Sequence, residues 1–336
     1  MTLPLPAIFV SLLPVAAFLA TLIYLDSYRL VTLQSILGSI AAGCCAALLA
    51  LQVNTVVLED VHLGLDTYSR FAAPMVEELL KSLYFFVLLF RRRVGFAVDA
   101  AIFGFGIGTG FALVENIMYL RDLPTDNMLV WVIRGFGTAL MHGGTTSMLG
   151  VIAKELRERH RSPAFPILAS LCLAVLIHAL YNQFVFSPEV SALLTLVGIP
   201  LVMVLVYRYS ERRTSDWLGV GFDTDRELLA MITTGVLAEN RVGQYLKSLE
   251  RAFPPPVVAD MLCYLRLYVE LAIKAKGILL LREAGLSVPP DTEAGDQFAE
   301  LRYLGKSIGR TGLLALHPFI HTRGNDLWQL QLVKER

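Results

Sequence analysis

The chain is poor in charge. Only 17% of its 336 residues are Asp, Glu, Lys or Arg, against 55% hydrophobic, and its mean hydropathy is +0.58. Soluble domains are about one-quarter charged, so this composition excludes an ordinary soluble protein and points to a membrane protein. The chain also lacks net charge, with 29 basic and 29 acidic residues. Neither half is basic enough for a nucleic-acid partner. The four cysteines, Cys44, Cys45, Cys172 and Cys263, form no CxxC pair and no metal-binding spacing. Cys44 and Cys45 lie in an apolar run and read as buried free thiols. The opening MTLPLPAIFV has no positive segment ahead of its apolar run, which continues to about Leu25. A retained first span is expected there rather than a cleaved signal peptide.

The charge that is present is unevenly spread. Residues 1–207 carry 12 Lys/Arg and 13 Asp/Glu, whereas the shorter remainder, 208–336, carries 17 and 16. This division predicts a transmembrane domain over 1–207 and a helical soluble domain over 208–336. A span needs about 20 mostly apolar residues to cross ~30 Å of hydrocarbon. Seven stretches qualify: roughly 4–25, 31–53, 71–90, 94–119, 128–153, 163–186 and 190–207. The fold class expected is therefore all-α, a polytopic transmembrane helix bundle of about seven spans with a soluble helical C-terminal domain. Arg29, Arg91 to Arg93, Lys154, Arg157, Arg159, Arg161, Arg208, Arg212 and Arg213 fall in loops on one side, and Arg70 and Arg121 on the other. Basic loops stay in the cytoplasm. The N-terminus is thus expected outside the cell membrane and the C-terminal domain in the cytoplasm.

In the tail, 226–253 and 257–285 show helical spacing of apolar residues, interrupted by the prolines at 254–256. The second stretch ends at Gly285, a helix-stop residue. A loop is expected at 287–297, a helix over 297–309, and a short helix or strand in LWQLQLV near the end. No catalytic motif occurs there, so regulation or docking of a cytoplasmic partner is its expected role. GFGIGTG, residues 104–110, fails the G-x-G-x-x-G nucleotide pattern and lies inside a span. Its small residues at 104 and 108, and at 106 and 110, instead fit close helix packing in a membrane.

Four polar clusters interrupt the spans. Span three holds Glu77, Glu78 and Lys81, and span four holds Glu115 and Asn116. Span five holds His142, and span six holds His178 and Asn182. A charge at the centre of a spanning helix costs roughly 2.5–3.5 kcal/mol on insertion scales, so such residues mark function. Counting 1.5 Å per residue puts Glu77 and Glu78 ~10 Å below the outer face, Glu115 ~6 Å, His178 ~12 Å and His142 ~15–20 Å. All lie in the outer half of the bilayer, although their spans run in opposite directions. One polar cavity open to the outside accounts for that. Singly, each residue has a plainer role: Glu77 and Lys81 are an i, i+4 pair, and Asn182 is a hydrogen-bonding bridge between helices. Arg134 and Asp99, nearer the interfaces, are assigned to structure.

Carboxylates and imidazoles together can activate water, with Glu77 or Glu78 as general base, while His and Asn donors bind the oxyanion of a tetrahedral intermediate. Alternatively His142, His178 and Glu115 form a two-His, one-carboxylate zinc set, with Glu78 acting on the bound water. In both routes Lys81 positions the partner glutamate, and Asn116 and Asn182 orient the imidazoles. Either route hydrolyses an amide within the membrane.

EELLK (77–81), FALVEN (111–116), His142 and HALYN (178–182), one per successive span, resemble the four motifs of the PrsW family of intramembrane proteases. That family is related to the CAAX-processing and bacteriocin-processing membrane proteases. The resemblance covers roughly residues 60–190. It implies a polytopic protease that cleaves membrane-anchored protein substrates such as anti-sigma factors, with Glu77, Glu78, Glu115, His142 and His178 as its catalytic core. It implies zinc if the metallopeptidase label holds, and no cofactor if the glutamate mechanism argued for the CAAX relatives holds. Two readings from other classes stand beside it. A transporter or channel would continue the polar layer through the inner half of the bilayer. A non-catalytic scaffold would keep the fold without the activity.

Overall fold

The computed structural model describes residues 5–61, 64–123, 125–160, 162–183, 185–234, 241–288, 291, 293–320 and 333. Among these the secondary structure is helical and contains no strand. The contacts divide the chain into two compact units, Met1–Ser210 and Glu211–Arg336.

The first unit opens with α1 (Leu5–Tyr24) and α2 (Leu33–Val61). A short α3 (Leu65–Thr67) passes through a π-helical segment, Tyr68–Ala72, into α4 (Ala73–Phe90). Then follows α5 (Ala97–Asp122). A second π segment, Arg134–Thr138, joins α6 (Met128–Ile133) to α7 (Ala139–Arg159), and α8 (Ala164–Asn182) comes next. The last helix to begin in this unit, α9 (Pro188–Thr234), extends well beyond the expected end of span seven at 207.

Among the described residues, five helices are long and apolar enough to cross a membrane: α1, α2, α5, α8 and α9. Two of the seven expected spans, α4 and the run α6 to α7, fall outside that group. The physical reason is their content: α4 carries Glu77, Glu78 and Lys81, and α7 carries His142, two threonines and a charged last turn.

The most enclosed of the five is α5, with 89% of its apolar stretch buried inside the protein against 22% for α8. Its glycines explain this. A Cβ on Gly108 would lie 2.4 Å from the His142 carbonyl oxygen, and one on Gly110 would lie 2.0 Å from that of Ile40. Of the two small-residue pairs read from the sequence, 104 and 108 therefore face α7, while 106 and 110 face α2. Asp99 caps the start of α5 by accepting from the backbone N–H of Gly95 at 2.8 Å and of Phe96 at 3.2 Å. Cys45, expected to be buried, is exposed, and Cys44 is half-buried. α2 is a peripheral helix with one face turned outward, so an apolar run there does not imply an interior position.

The second unit contains α10 (Arg241–Leu249), α11 (Pro255–Glu283) and α12 (Ala294–Leu316). Prolines open α11, and Gly285 follows it with φ +70°, the left-handed conformation of a helix stop. α12 is longer at both ends than the 297–309 expected and kinks at Gly309 (φ +70°). Met261, Leu265, Leu271, Ile278, Leu304 and Leu316 lie in one apolar core. LWQLQLV, apart from Val333, lies outside the described residues.

Candidate active site

The helices place the four polar clusters side by side. Glu78 and Lys81 share a face of α4 one turn apart and are fully buried, and His142 on α7 and His178 on α8 are 1% and 2% exposed. Lys81 Nζ donates to Glu78 Oε1 at 2.5 Å and to His142 Nδ1 at 3.1 Å. The lysine thus pairs with the glutamate three residues before it, not with Glu77 at four. His178 Nδ1 donates to the same Glu78 Oε1 at 2.8 Å. Glu78 Oε2 is buried without a hydrogen-bond partner.

Glu77, on the neighbouring face of α4, approaches His178 Nε2 with its Oε2 at 3.8 Å. Glu115 on α5 accepts from His142 Nε2 at 3.0 Å and lies 3.3 Å from the Arg134 guanidinium. The two imidazole rings stand perpendicular, with centroids 4.9 Å apart. These distances join α4, α5, α7 and α8 in one polar network.

A carboxylate can only accept hydrogen bonds, which assigns the imidazole protons. His178 carries its proton on Nδ1 toward Glu78, leaving the Nε2 lone pair toward Glu77. His142 carries its proton on Nε2 toward Glu115, leaving the Nδ1 lone pair to Lys81.

A cavity of about 290 Å³ reaches the network from one side. Glu77, Glu115, Asn54 and Asp122 line it, together with the apolar Ala47, Ala50 and Phe111. Glu77 and Glu115 therefore meet water and any entering chain, whereas Glu78 stands behind them with no exposed surface.

Ligand atoms of Glu77, His142 and His178 lie within 4.8 Å of one another, the spacing of a prospective metal site. Two imidazoles and a carboxylate are a zinc set. Glu78 behind His178 Nδ1 supplies the carboxylate–histidine arrangement that orients a metal-binding imidazole. The residues fit the metal in kind. The carboxylate of this trio is Glu77, where the sequence suggested Glu115, because Arg134 and His142 hold Glu115 to one side.

The asparagines reach the site indirectly. Asn116 Nδ2 donates to the Ser11 carbonyl at 2.8 Å, and its Oδ1 accepts from Arg134 Nε at 2.9 Å. Asn182 Nδ2 donates to the Ser69 carbonyl, in the π segment before α4, at 3.0 Å. Arg134, read from the sequence as structural, is the cation of Glu115 and stacks on Tyr119, 3.5 Å from the ring centroid. Asn54 and Tyr68 also join the network and went unread. A lone asparagine near a span's end and a tyrosine at the interface carry no distinguishing signal in sequence.

No solved structure matches the chain. Protease PrsW of Halalkalibacterium halodurans is 31% identical over 138 residues, covering 38% of this chain and 58% of that relative. The profile of the PrsW family intramembrane metalloproteases matches residues 27–208, a stretch that contains every residue of the polar network except Ser11. The chain belongs to the PrsW family of intramembrane proteases.

Proposed function

We propose that the chain is an intramembrane endopeptidase that hydrolyses peptide bonds of membrane-anchored proteins, with anti-sigma-factor-like proteins as the substrate type. α4 and the run α6 to α7 also cross the bilayer, as spans three and five, with Glu78 and Lys81 of α4 neutralising one another inside the network. The N-terminus lies outside the cell, and residues 208–336 form a cytoplasmic domain that docks a regulatory partner. The observation that carries the reading is a cavity lined by Glu77 and Glu115 that leads to two buried imidazoles.

Exposure to that cavity distinguishes the two adjacent glutamates. Glu77 is the general base: it takes a proton from water as the oxygen attacks the scissile carbonyl. His178 Nε2, beside Glu77, relays the proton to the departing amine as the C–N bond breaks. Glu78 holds Lys81 and the Nδ1 proton of His178, which fixes that tautomer. Arg134 and Lys81 place positive charge near the developing oxyanion.

A second reading rests on the donor trio. A zinc ion held by Glu77, His142 and His178 would polarise the carbonyl and acidify its water, with Glu78 as the carboxylate behind His178. Lys81 would then release His142 Nδ1.

The test uses purified protein in liposomes with a single-span reporter protein. Wild type cleaves it, Glu77→Gln abolishes cleavage, and chelation followed by zinc addition separates the two readings. Equal cleavage by wild type and Glu77→Gln refutes Glu77 as the base, an intact reporter with wild type refutes the protease assignment, and ion flux without cleavage favours a transporter.

A further inference from the structure

Glu77 has a partner on a helix that none of the four motifs touches. Asn54, on α2, turns its amide Nδ2 toward Glu77 Oε1 at 3.4 Å. Tyr68 donates its hydroxyl to Asn54 Oδ1 at 2.9 Å. Chemistry enforces that order. The carboxylate can only accept, so Asn54 must present its NH2 group, and the amide oxygen then takes a donor, which the phenol supplies. The two oxygens of Glu77 are thereby divided: Oε1 faces Asn54 and Oε2 faces His178 Nε2.

Tyr68 is itself held. It is 3% exposed and begins the π segment Tyr68–Ala72. Single-turn π segments inside α-helices are frequent at functional sites. Asn182 Nδ2 donates to the Ser69 carbonyl of this segment, and Gln183 Nε2 to that of Arg70 at 3.5 Å. The helix that carries His178 thus also anchors the turn that carries Tyr68. The other π segment, Arg134–Thr138, starts at the arginine that grips Glu115. Glu77 and Glu115 are therefore both steadied from the first residue of a π segment, Glu115 directly and Glu77 through Asn54.

We propose that Asn54, oriented by Tyr68, is a positioning residue that holds the Glu77 carboxylate at the cavity wall with one oxygen turned to His178. The proposal rests on the protease reading above. It differs from a purely structural bridge between α2 and the start of α4, which would alter stability and leave turnover intact.

The test measures reporter cleavage by the purified full chain in liposomes as a function of reporter density. Asn54→Asp keeps the shape and the acceptor for Tyr68 but removes the donor to Glu77. Tyr68→Phe removes one hydroxyl. Each is expected to lower kcat about tenfold, the effect of one hydrogen bond to a charged group, with KM within about twofold of wild type. The double variant is expected to be no slower than Asn54→Asp alone, because Tyr68 acts through Asn54. Thermal unfolding confirms that each variant is folded, and Tyr68→Phe carries the test should Asn54→Asp fail to fold. Unchanged kcat, a change confined to KM, or losses that multiply in the double variant would overturn the proposal while the protease reading stands. An inactive wild type would overturn both.

Discussion

Gly108 gives the sharpest test of how packing sets the site. A methyl group there would lie 2.4 Å from the His142 carbonyl oxygen and 2.6 Å from Gly143 Cα, both backbone atoms that cannot rotate away. Ordinary contact begins at 3.4 Å, so Gly108→Ala forces α5 and α7 apart by about 1 Å. His142 Nε2 and Glu115 Oε2, now 3.0 Å apart, would separate to about 4 Å, past hydrogen-bonding range. Overpacking of this kind costs about 1–3 kcal/mol in stability. A displacement of ~1 Å at a catalytic group can cost on the order of a hundredfold in rate. Thermal unfolding and reporter cleavage in liposomes measure the two effects. The control is Gly198→Ala on α9, where an added Cβ meets nothing within 4 Å and neither quantity should fall. If Gly108→Ala matches Gly198→Ala in both, the helix contact does not set the catalytic geometry.

Three further substitutions probe separate parts of the molecule. Lys81→Met leaves Glu78 buried with its main cation gone, so the protein should lose about 3–5 kcal/mol of stability together with activity, read by denaturant unfolding and cleavage. Arg134→Lys should cut cleavage about tenfold with little change in unfolding temperature, since an ammonium cannot span Glu115 and Asn116 as the guanidinium fork does. In the second unit, Lys276 pairs with Asp225 at 2.5 Å and lies over the Trp217 ring at 5.1 Å. Lys276→Met should lower the unfolding midpoint of this unit by the equivalent of about 1–3 kcal/mol and leave reporter cleavage unchanged.

Much of the site was legible because buried charge in an apolar span has few purposes. EELLK, FALVEN, His142 and HALYN stood out against their surroundings, and depth counting placed them in one layer. The glycine pairs were legible too, since small residues four apart in a span have one common use. What stayed hidden depends on which side chain reaches which. Lys81 can lean to either glutamate on α4, and only the positions of His142 and His178 draw it to Glu78. Asn182 sits one turn from His178 yet reaches back to the Ser69 carbonyl, a group made available by the π segment, which spacing does not announce. Arg134 looked like an interface residue until the second π segment turned it toward Glu115. The long α9 blurred the boundary at 207, because helical spacing continues through it while only the composition changes.

The central claim is that this polar cavity delivers water to a peptide bond inside the membrane. Cleavage of a single-span reporter by the purified chain in liposomes, run in heavy-oxygen water and followed by mass spectrometry of the fragments, tests it directly. The account predicts one heavy oxygen in the new C-terminal carboxylate, at a bond within or beside the reporter's span, and no product from Glu77→Gln. An intact reporter with wild type, or the same labelled product from Glu77→Gln, would contradict it.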